Sequence, residues 1–245
     1  MELFAGIGGF GLAGRWAGIE SAVQVEWNPF CQKVLKKNFP NAELHGDIRE
    51  FDGTPYRGTI DIISGGFPCQ PYSTAGKRLG KEDDRHLWPE MLRVIRQVAP
   101  RWVVGENVRG LVNWSGGLVF DEAQADLEAA GYEVQPFVLP AASVNAPHRR
   151  DRVWFVAYAN NKRREKQYAS DLSIRPGRIG RRIFAEWDDW PTQPPVCRGN
   201  DGIPNRVDRI RGLGNAIVPQ VAYQIFKAIV EYETHKRHSK TRCRR

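Results

Sequence analysis

The chain has 245 residues, 41% hydrophobic and 26% charged, which suits one or two globular domains with a sizeable core. No apolar run approaches the ~20 residues that span a bilayer, Met1-Glu2-Leu3-Phe4 does not read as a secretory leader, and Cys31, Cys69, Cys197 and Cys243 lack CxxC spacing. Membrane, secreted and fibrous classes are therefore excluded on this reading, a metal site and a disulfide framework are not expected, and a reducing cytoplasm is. The net charge of +8 is uneven: residues 1–157 hold 17 Lys/Arg against 19 Asp/Glu, and residues 158–245 hold 19 against 9. A near-neutral body with a basic second part suggests a surface for a polyanion, with a solubilising tail as the alternative.

In chain order, residues 2–4 and 21–25 read as strands, separated by a glycine-rich turn and a helix ending near Gly18. Residues 29–38 have helical spacing (Phe30, Val34, Leu35), stopped by Pro40. Residues 60–64 and 102–105 are short apolar runs bounded by turn residues, the pattern of strands buried on both faces. Between them, 87–98 reads as a helix with Leu87, Met91, Leu92, Ile95 and Val98 on one face. A helix over 118–130 leads to strands at 132–139 and 153–157. This alternation predicts an α/β fold with a doubly wound, mostly parallel sheet over residues 1–157. From Tyr158 apolar residues thin out, so 158–210 is expected to form a small, loop-rich second lobe. Residues 211–234 return to the body, with a helix over 219–233 (Val221, Ile225, Ile229). Residues 235–245, with six Lys/Arg and no acid, are expected to be a disordered basic tail.

Three stretches carry chemistry. Gly6-Ile7-Gly8-Gly9-Phe10-Gly11 follows the first strand and opens a helix, and Glu26 ends the next strand twenty residues later. This unit reads as an adenosine site for a dinucleotide or for S-adenosylmethionine, or as a tight structural turn. Gly65-Gly66-Phe67-Pro68-Cys69-Gln70-Pro71-Tyr72-Ser73 places Cys69 in a rigid loop at the carboxyl end of a strand. Open α/β sheets bind ligands there, although a lone cysteine is commonly a buried structural one. Glu106-Asn107-Val108 follows a second buried strand, and Pro147-His148-Arg149-Arg150-Asp151-Arg152 precedes a third.

Together with Gly212-Leu213-Gly214-Asn215, these motifs resemble, in the same order, those of the DNA (cytosine-5) methyltransferases. The resemblance implies a Rossmann-like fold that binds S-adenosyl-L-methionine and methylates C5 of a cytosine flipped out of double-stranded DNA. Residue by residue, it makes Cys69 the nucleophile that adds to C6, positioned by Pro68 and Gln70. Glu106 becomes the acid at N3, and Arg150 and Arg152 the pair beside the base. It places Phe4, Ala5, Gly6, Ile7 and Gly9 around the cofactor, Glu26 on the ribose, and Trp27 on adenine or ribose. Asp47, with Ile48 beside it, meets the adenine amine, and Phe67, Pro68 and Asn215 complete the pocket. Ser73, Lys77, Arg78, Asn107, Arg175, Arg178, Arg181 and Arg182 are the expected DNA contacts, with 77–85 resembling a mobile loop over DNA and 157–211 a shortened target-recognition region. The short first strand and His148, at a position more often Gln, depart from the family's pattern. The implied partner is duplex DNA, read by a monomer, with or without a companion restriction endonuclease. The alternatives are a DNA-binding protein without turnover, an RNA cytosine-5 methyltransferase and a nicotinamide-dependent enzyme.

Overall fold

The computed structural model describes residues 1–68, 87–113, 117–160 and 206–242. Seven strands form one sheet: β1 (Glu2–Leu3), β2 (Val23–Val25), β3 (Glu43–His45), β4 (Ile62–Gly65), β5 (Trp102–Val108), β6 (Tyr132–Leu139) and β7 (Arg152–Ala159). The helices are α1 (Gly9–Trp16), α2 (Pro29–Asn38), α3 (Trp88–Val98), α4 (Leu118–Ala129), α5 (Arg206–Asn215) and α6 (Pro219–Arg242). The spatial order is β3-β2-β1-β4-β5-β7-β6. Strands β1 to β5 pair in parallel, and β7 runs antiparallel between β5 and β6. The chain winds outward from β1 in both directions, which puts a ligand crevice where the order reverses, between β1 and β4.

Alternation along the strands sorts side chains into two apolar layers. Val103 and Phe155 pack with Met91, Val94, Ile95 and Val98 of α3 and with Val119, Ala123 and Leu127 of α4. Their neighbours Val104 and Trp154 face the other way, onto Phe10 and Ala13 of α1 and Val221, Phe226 and Ile229 of α6. The helices therefore cover both faces of the sheet, and α6 returns beside α1 through Phe10–Phe226 and Trp16–Tyr223 ring contacts.

Local chemistry sets the element ends. Asn28 caps α2 by accepting from the backbone N–H groups of Phe30 and Cys31, with Pro29 in the first turn. Gly8, the residue before α1, sits at φ +88°, and a Cβ there would stand 2.5 Å from Phe39 Cε2. Gly8→Ala is therefore expected to lower stability by about 1–2 kcal/mol for the left-handed backbone alone, with displacement of Phe39 added. Thermal unfolding measures it.

Several elements differ from the sequence expectation. β1 stops at Leu3 because Phe4 turns to φ +52°. β3 and α5 were not expected, and β5 runs on to Val108, so Glu106 and Asn107 lie inside a strand rather than after one. The last helix extends past Glu233 to Arg242, so residues 235–242 continue a helix instead of forming a disordered tail. Lys236 anchors that extension, donating to Tyr158 Oη at 2.6 Å and lying 5.1 Å from the centre of its ring. Of the expected second lobe, 161–205 lies outside the described residues. No described helix is long and apolar enough to cross a membrane.

Candidate active site

All the motif residues that are described meet at one edge of the sheet. β1, β2, β3, β4 and β5 deliver their carboxyl ends there: the glycine loop, Glu26, Asp47, Gly66-Phe67-Pro68 and Glu106. β7, being antiparallel, brings its amino end to the same edge, with Val108 opposite Arg152.

The glycine loop is lined with acceptors. Glu2, inside β1, accepts from the N–H groups of Phe10 and Gly11 in the first turn of α1, both at 3.1 Å, and from Gln24 Nε2 at 3.1 Å. Gly8 offers α1 no capping side chain, and Glu2 supplies the acceptor from the strand below. Gly11 allows the approach, since a Cβ there would stand 2.9 Å from Glu2 Oε2. Glu26 accepts from Gly6 N at 2.7 Å and from Asn28 N at 2.8 Å, so it holds the loop against the start of α2. Ala5 is buried and bonds Val25 O, while Phe4 packs on the core.

These amides decide between the two adenosine-bearing ligand classes. A pyrophosphate binds a helix N-terminus through free N–H groups. Here Gly6 already donates to Glu26, and Phe10 and Gly11 to Glu2, so none of these amides is free for a phosphate. The loop suits a nucleoside without phosphates. Room for one is present: nothing lies within 4 Å of where a Cβ of Gly6 or Gly46 would stand, and the Trp27 side chain, beside Glu26, is 68% exposed. Asp47 lies at the same edge, held below its usual pKa by hydrogen bonds from Arg49. Ile48 is buried, and its carbonyl and that of Phe51 are bound by Arg93, which ties this loop to α3.

The late chain closes the loop from the other side. Ile217 packs on Gly9, where a Cβ would stand 2.7 Å from Ile217 Cγ1, and Gly212 faces Ile7 at 3.2 Å in the same sense. Asn215, the exposed last residue of α5, thus stands beside a loop two hundred residues earlier.

Glu106 forms the other half of the site. Its carboxylate is 3.0 Å from Arg152 Nε, on the same face of the β5–β7 pair. Its Oε2 lies 3.1 Å from where a Cβ of Gly66 would be, so the start of the cysteine loop runs past the acid. Burial raises its pKa from 4.5 to about 7, against the opposing pull of Arg152 and Arg150. Arg150 donates to Gly214 O and Ala216 O, and burial, then Arg152, lowers its pKa. Asn107 points inward: it donates to Phe67 O at 3.2 Å and accepts from Val108 N, so its amide holds the cysteine loop. Phe67 is buried against Trp88, and Pro68 follows it, half-buried. Cys69, Gln70, Ser73, Lys77, Arg78, Arg175, Arg178, Arg181 and Arg182 lie outside the described residues.

Sequence reasoning missed Glu2, Gln24, Arg93 and Ile217. A helix start with glycine in the capping position and an acid in the preceding strand was the available signal for Glu2. Among the described residues no cluster of three His, Cys, Asp or Glu is arranged to hold a metal. A surface cavity of about 390 Å³ between Arg57 and Arg93–Arg96 is lined by none of the motif residues.

Glu2 also couples folding to pH. Burial raises its pKa from 4.5 to about 7, so the folded chain keeps a proton that the unfolded chain releases. The resulting stabilisation is complete below pH 4.5 and lost as pH rises through 7, on the order of 3 kcal/mol from this group. Urea unfolding at pH 5 and pH 8 is expected to show the decline, and Glu2→Gln to shrink it.

A sequence model described as C-5 cytosine-specific DNA methylase matches residues 1–181. The type II methyltransferase M.Eco47II of Escherichia coli is 40% identical over 164 residues, covering 66% of this chain and 39% of that protein. The type II methyltransferase M.NgoMIV of Neisseria gonorrhoeae is 35% identical over 185 residues, covering 75% and 59%. The crystal structure of a Spodoptera frugiperda DNMT2 mutant superposes with a TM-score of 0.55 at 28% identity, over 66% of this chain and 50% of that one. The chain thus spans about two fifths to three fifths of these relatives' length. With its sheet order, its glycine loop of engaged amides and its partly buried Glu106–Arg152 ion pair, the chain belongs to the C-5 cytosine-specific DNA methylase family.

Proposed function

We propose that the chain transfers a methyl group from S-adenosyl-L-methionine to C5 of a cytosine in double-stranded DNA, with Cys69 as nucleophile. The observation that carries this is Glu106: a carboxyl with only 12% of its side chain exposed and a pKa raised to about 7, paired with Arg152, beside the start of the cysteine loop. C5 of cytosine is a weak nucleophile. Addition of the Cys69 thiolate to C6 breaks the C5–C6 double bond and sends its electron pair toward N3. Glu106 in its protonated form donates to N3 there, and Arg152 holds the carboxyl in place. S-adenosyl-L-methionine, when bound, supplies an electrophilic methyl group. Loss of the C5 proton to a base then re-forms the C5–C6 double bond and expels the thiolate, and N3 returns its proton to Glu106, so both residues are regenerated.

The residues fit this cofactor. Glu26 and Asp47 would take its ribose and adenine amine, Trp27 and Phe67 its rings, and Gly6, Ile7, Gly9 and Asn215 its methionine end. Flipping the base costs a few kcal/mol. We assign that work to contacts from Gln70, Ser73, Lys77 and Arg78 and from the basic segment holding Arg175, Arg178, Arg181 and Arg182, with residues 158–210 as a reduced recognition lobe. In this reading the chain acts as a cytoplasmic monomer, either as one half of a type II restriction–modification pair or as a solitary enzyme.

The test is transfer of labelled methyl to unmethylated duplex DNA, with single-stranded RNA as a parallel substrate and cofactor binding measured separately. Label on cytosine C5 of DNA is expected. Label on RNA alone would move the substrate class, and cofactor and DNA binding without any transfer would make the chain a non-catalytic DNA binder.

A further inference from the structure

The family resemblance puts Arg150 beside the base, yet its hydrogen bonds lead elsewhere. Nη2 donates to Gly214 O at 2.9 Å and to Ala216 O at 2.7 Å, the two carbonyls that bracket Asn215. These oxygens lie at the carboxyl end of α5, where unsatisfied carbonyls and the helix dipole favour a cation. The turn they belong to rests on the glycine loop through Ile217 on Gly9 and Gly212 on Ile7. On its other flank Arg150 faces Arg152 and Glu106, and Glu106 is already paired with Arg152. The backbone of Arg150 sits at φ +39°, a left-handed conformation that non-glycine residues keep only when their surroundings fix it.

We infer that Arg150 is a positioning residue that clamps the Asn215 turn onto the glycine loop, so that a residue on the base side of the site sets cofactor affinity. The two arginines then divide the work. Arg152 holds Glu106, and Arg150 holds the wall of the cofactor pocket. The inference rests on the cofactor reading above, but its first readout needs no ligand.

The experiment compares Arg150→Gln, Arg150→Lys and Arg152→Gln with the wild type in the full chain. Amide hydrogen exchange of residues 212–218, without cofactor or DNA, is expected to speed up in Arg150→Gln, less in Arg150→Lys, and to match wild type in Arg152→Gln. Binding of S-adenosyl-L-methionine without DNA is expected to weaken about 10–100-fold in Arg150→Gln, the loss of two charge-assisted hydrogen bonds, and to hold in Arg152→Gln. The KM for cofactor should rise more than kcat falls. Wild-type exchange and wild-type cofactor affinity in Arg150→Gln, with a loss confined to kcat, would overturn the inference and leave Arg150 a base contact. Should Arg150→Gln fail to fold, Arg150→Lys carries the same comparison. Failure of the wild type to bind cofactor would instead count against the cofactor reading, while the exchange result would stand by itself.

Discussion

Glu106→Gln is expected to slow methyl transfer by about 10²–10⁴-fold, the range in which a positioned general acid contributes, while cofactor affinity stays at the wild-type value. Glutamine keeps the shape and a donor but cannot deliver a proton to N3 as electron density arrives. The pH profile gives a sharper signature. The acid works when protonated, and burial places its pKa at about 7. The Glu106 contribution to kcat/KM for DNA, which reports the free enzyme, should therefore be nearly full at pH 6 and fall tenfold per unit well above pH 7. Thiolate formation on Cys69 pulls the other way as pH rises, so the wild type should show a bell. The descending limb should vanish in Glu106→Gln. Rates from pH 5.5 to 9 at saturating cofactor check this, and a descending limb that survives the substitution would remove Glu106 from the acid role.

The second large effect is on folding. Glu233 of α6 is buried; Oε2 accepts from Arg101 Nη1 at 2.6 Å and Oε1 from the Trp102 indole N–H at 3.0 Å. Around it Trp102, Tyr158 and Tyr232 pack with ring centroids 4.6–5.8 Å apart. The cluster fixes the far end of α6 to the start of β5, and through that helix the sheet supports the segment that lies on Gly9. Glu233→Ala removes the carboxylate from a largely buried guanidinium and an indole N–H together. The expected loss is about 3–5 kcal/mol, or roughly 10 °C in melting temperature for a chain of this size. Glu233→Gln keeps an acceptor for Trp102 and should lose less. Equal stability of Glu233→Ala and wild type in urea would show that the aromatic packing alone holds the helix.

How far the sequence speaks depends on how local each signal is. β6, α3 and α4 came within a residue of their bounds because apolar periodicity and flanking turn residues mark them directly. β3 escapes because three residues, the exposed Glu43 and the half-buried Leu44 and His45, are too few to show an alternation. α5 escaped because Arg206–Asn215 carries two glycines and two non-local contacts, Gly212 on Ile7 and the carbonyls on Arg150, that only the folded chain supplies. The sequence ends β5 at Gly105 because Glu106 and Asn107 look like loop residues. Pairing with β7 carries the strand to Val108, buries Asn107 and leaves only 12% of the Glu106 side chain exposed. The same burial gives Glu106 its raised pKa, so the property that matters most for the chemistry is absent from composition or spacing. Glu2 was missed for a related reason. A carboxylate in a central strand contradicts the apolar pattern, and its logic lies in the uncapped first turn of α1 across from it.

The central claim is a covalent bond between Cys69 and C6 of cytosine, assisted by Glu106. Its most direct measurement uses duplex DNA containing 5-fluoro-2′-deoxycytidine. Fluorine at C5 cannot leave as the proton does, so the methylated adduct cannot collapse. With S-adenosyl-L-methionine present, wild type is expected to form a protein–DNA species stable to denaturing gel electrophoresis, whose cross-linked peptide contains Cys69. Cys69→Ser should form none. A stable adduct mapped to another residue, or one that persists in Cys69→Ser, would contradict the account.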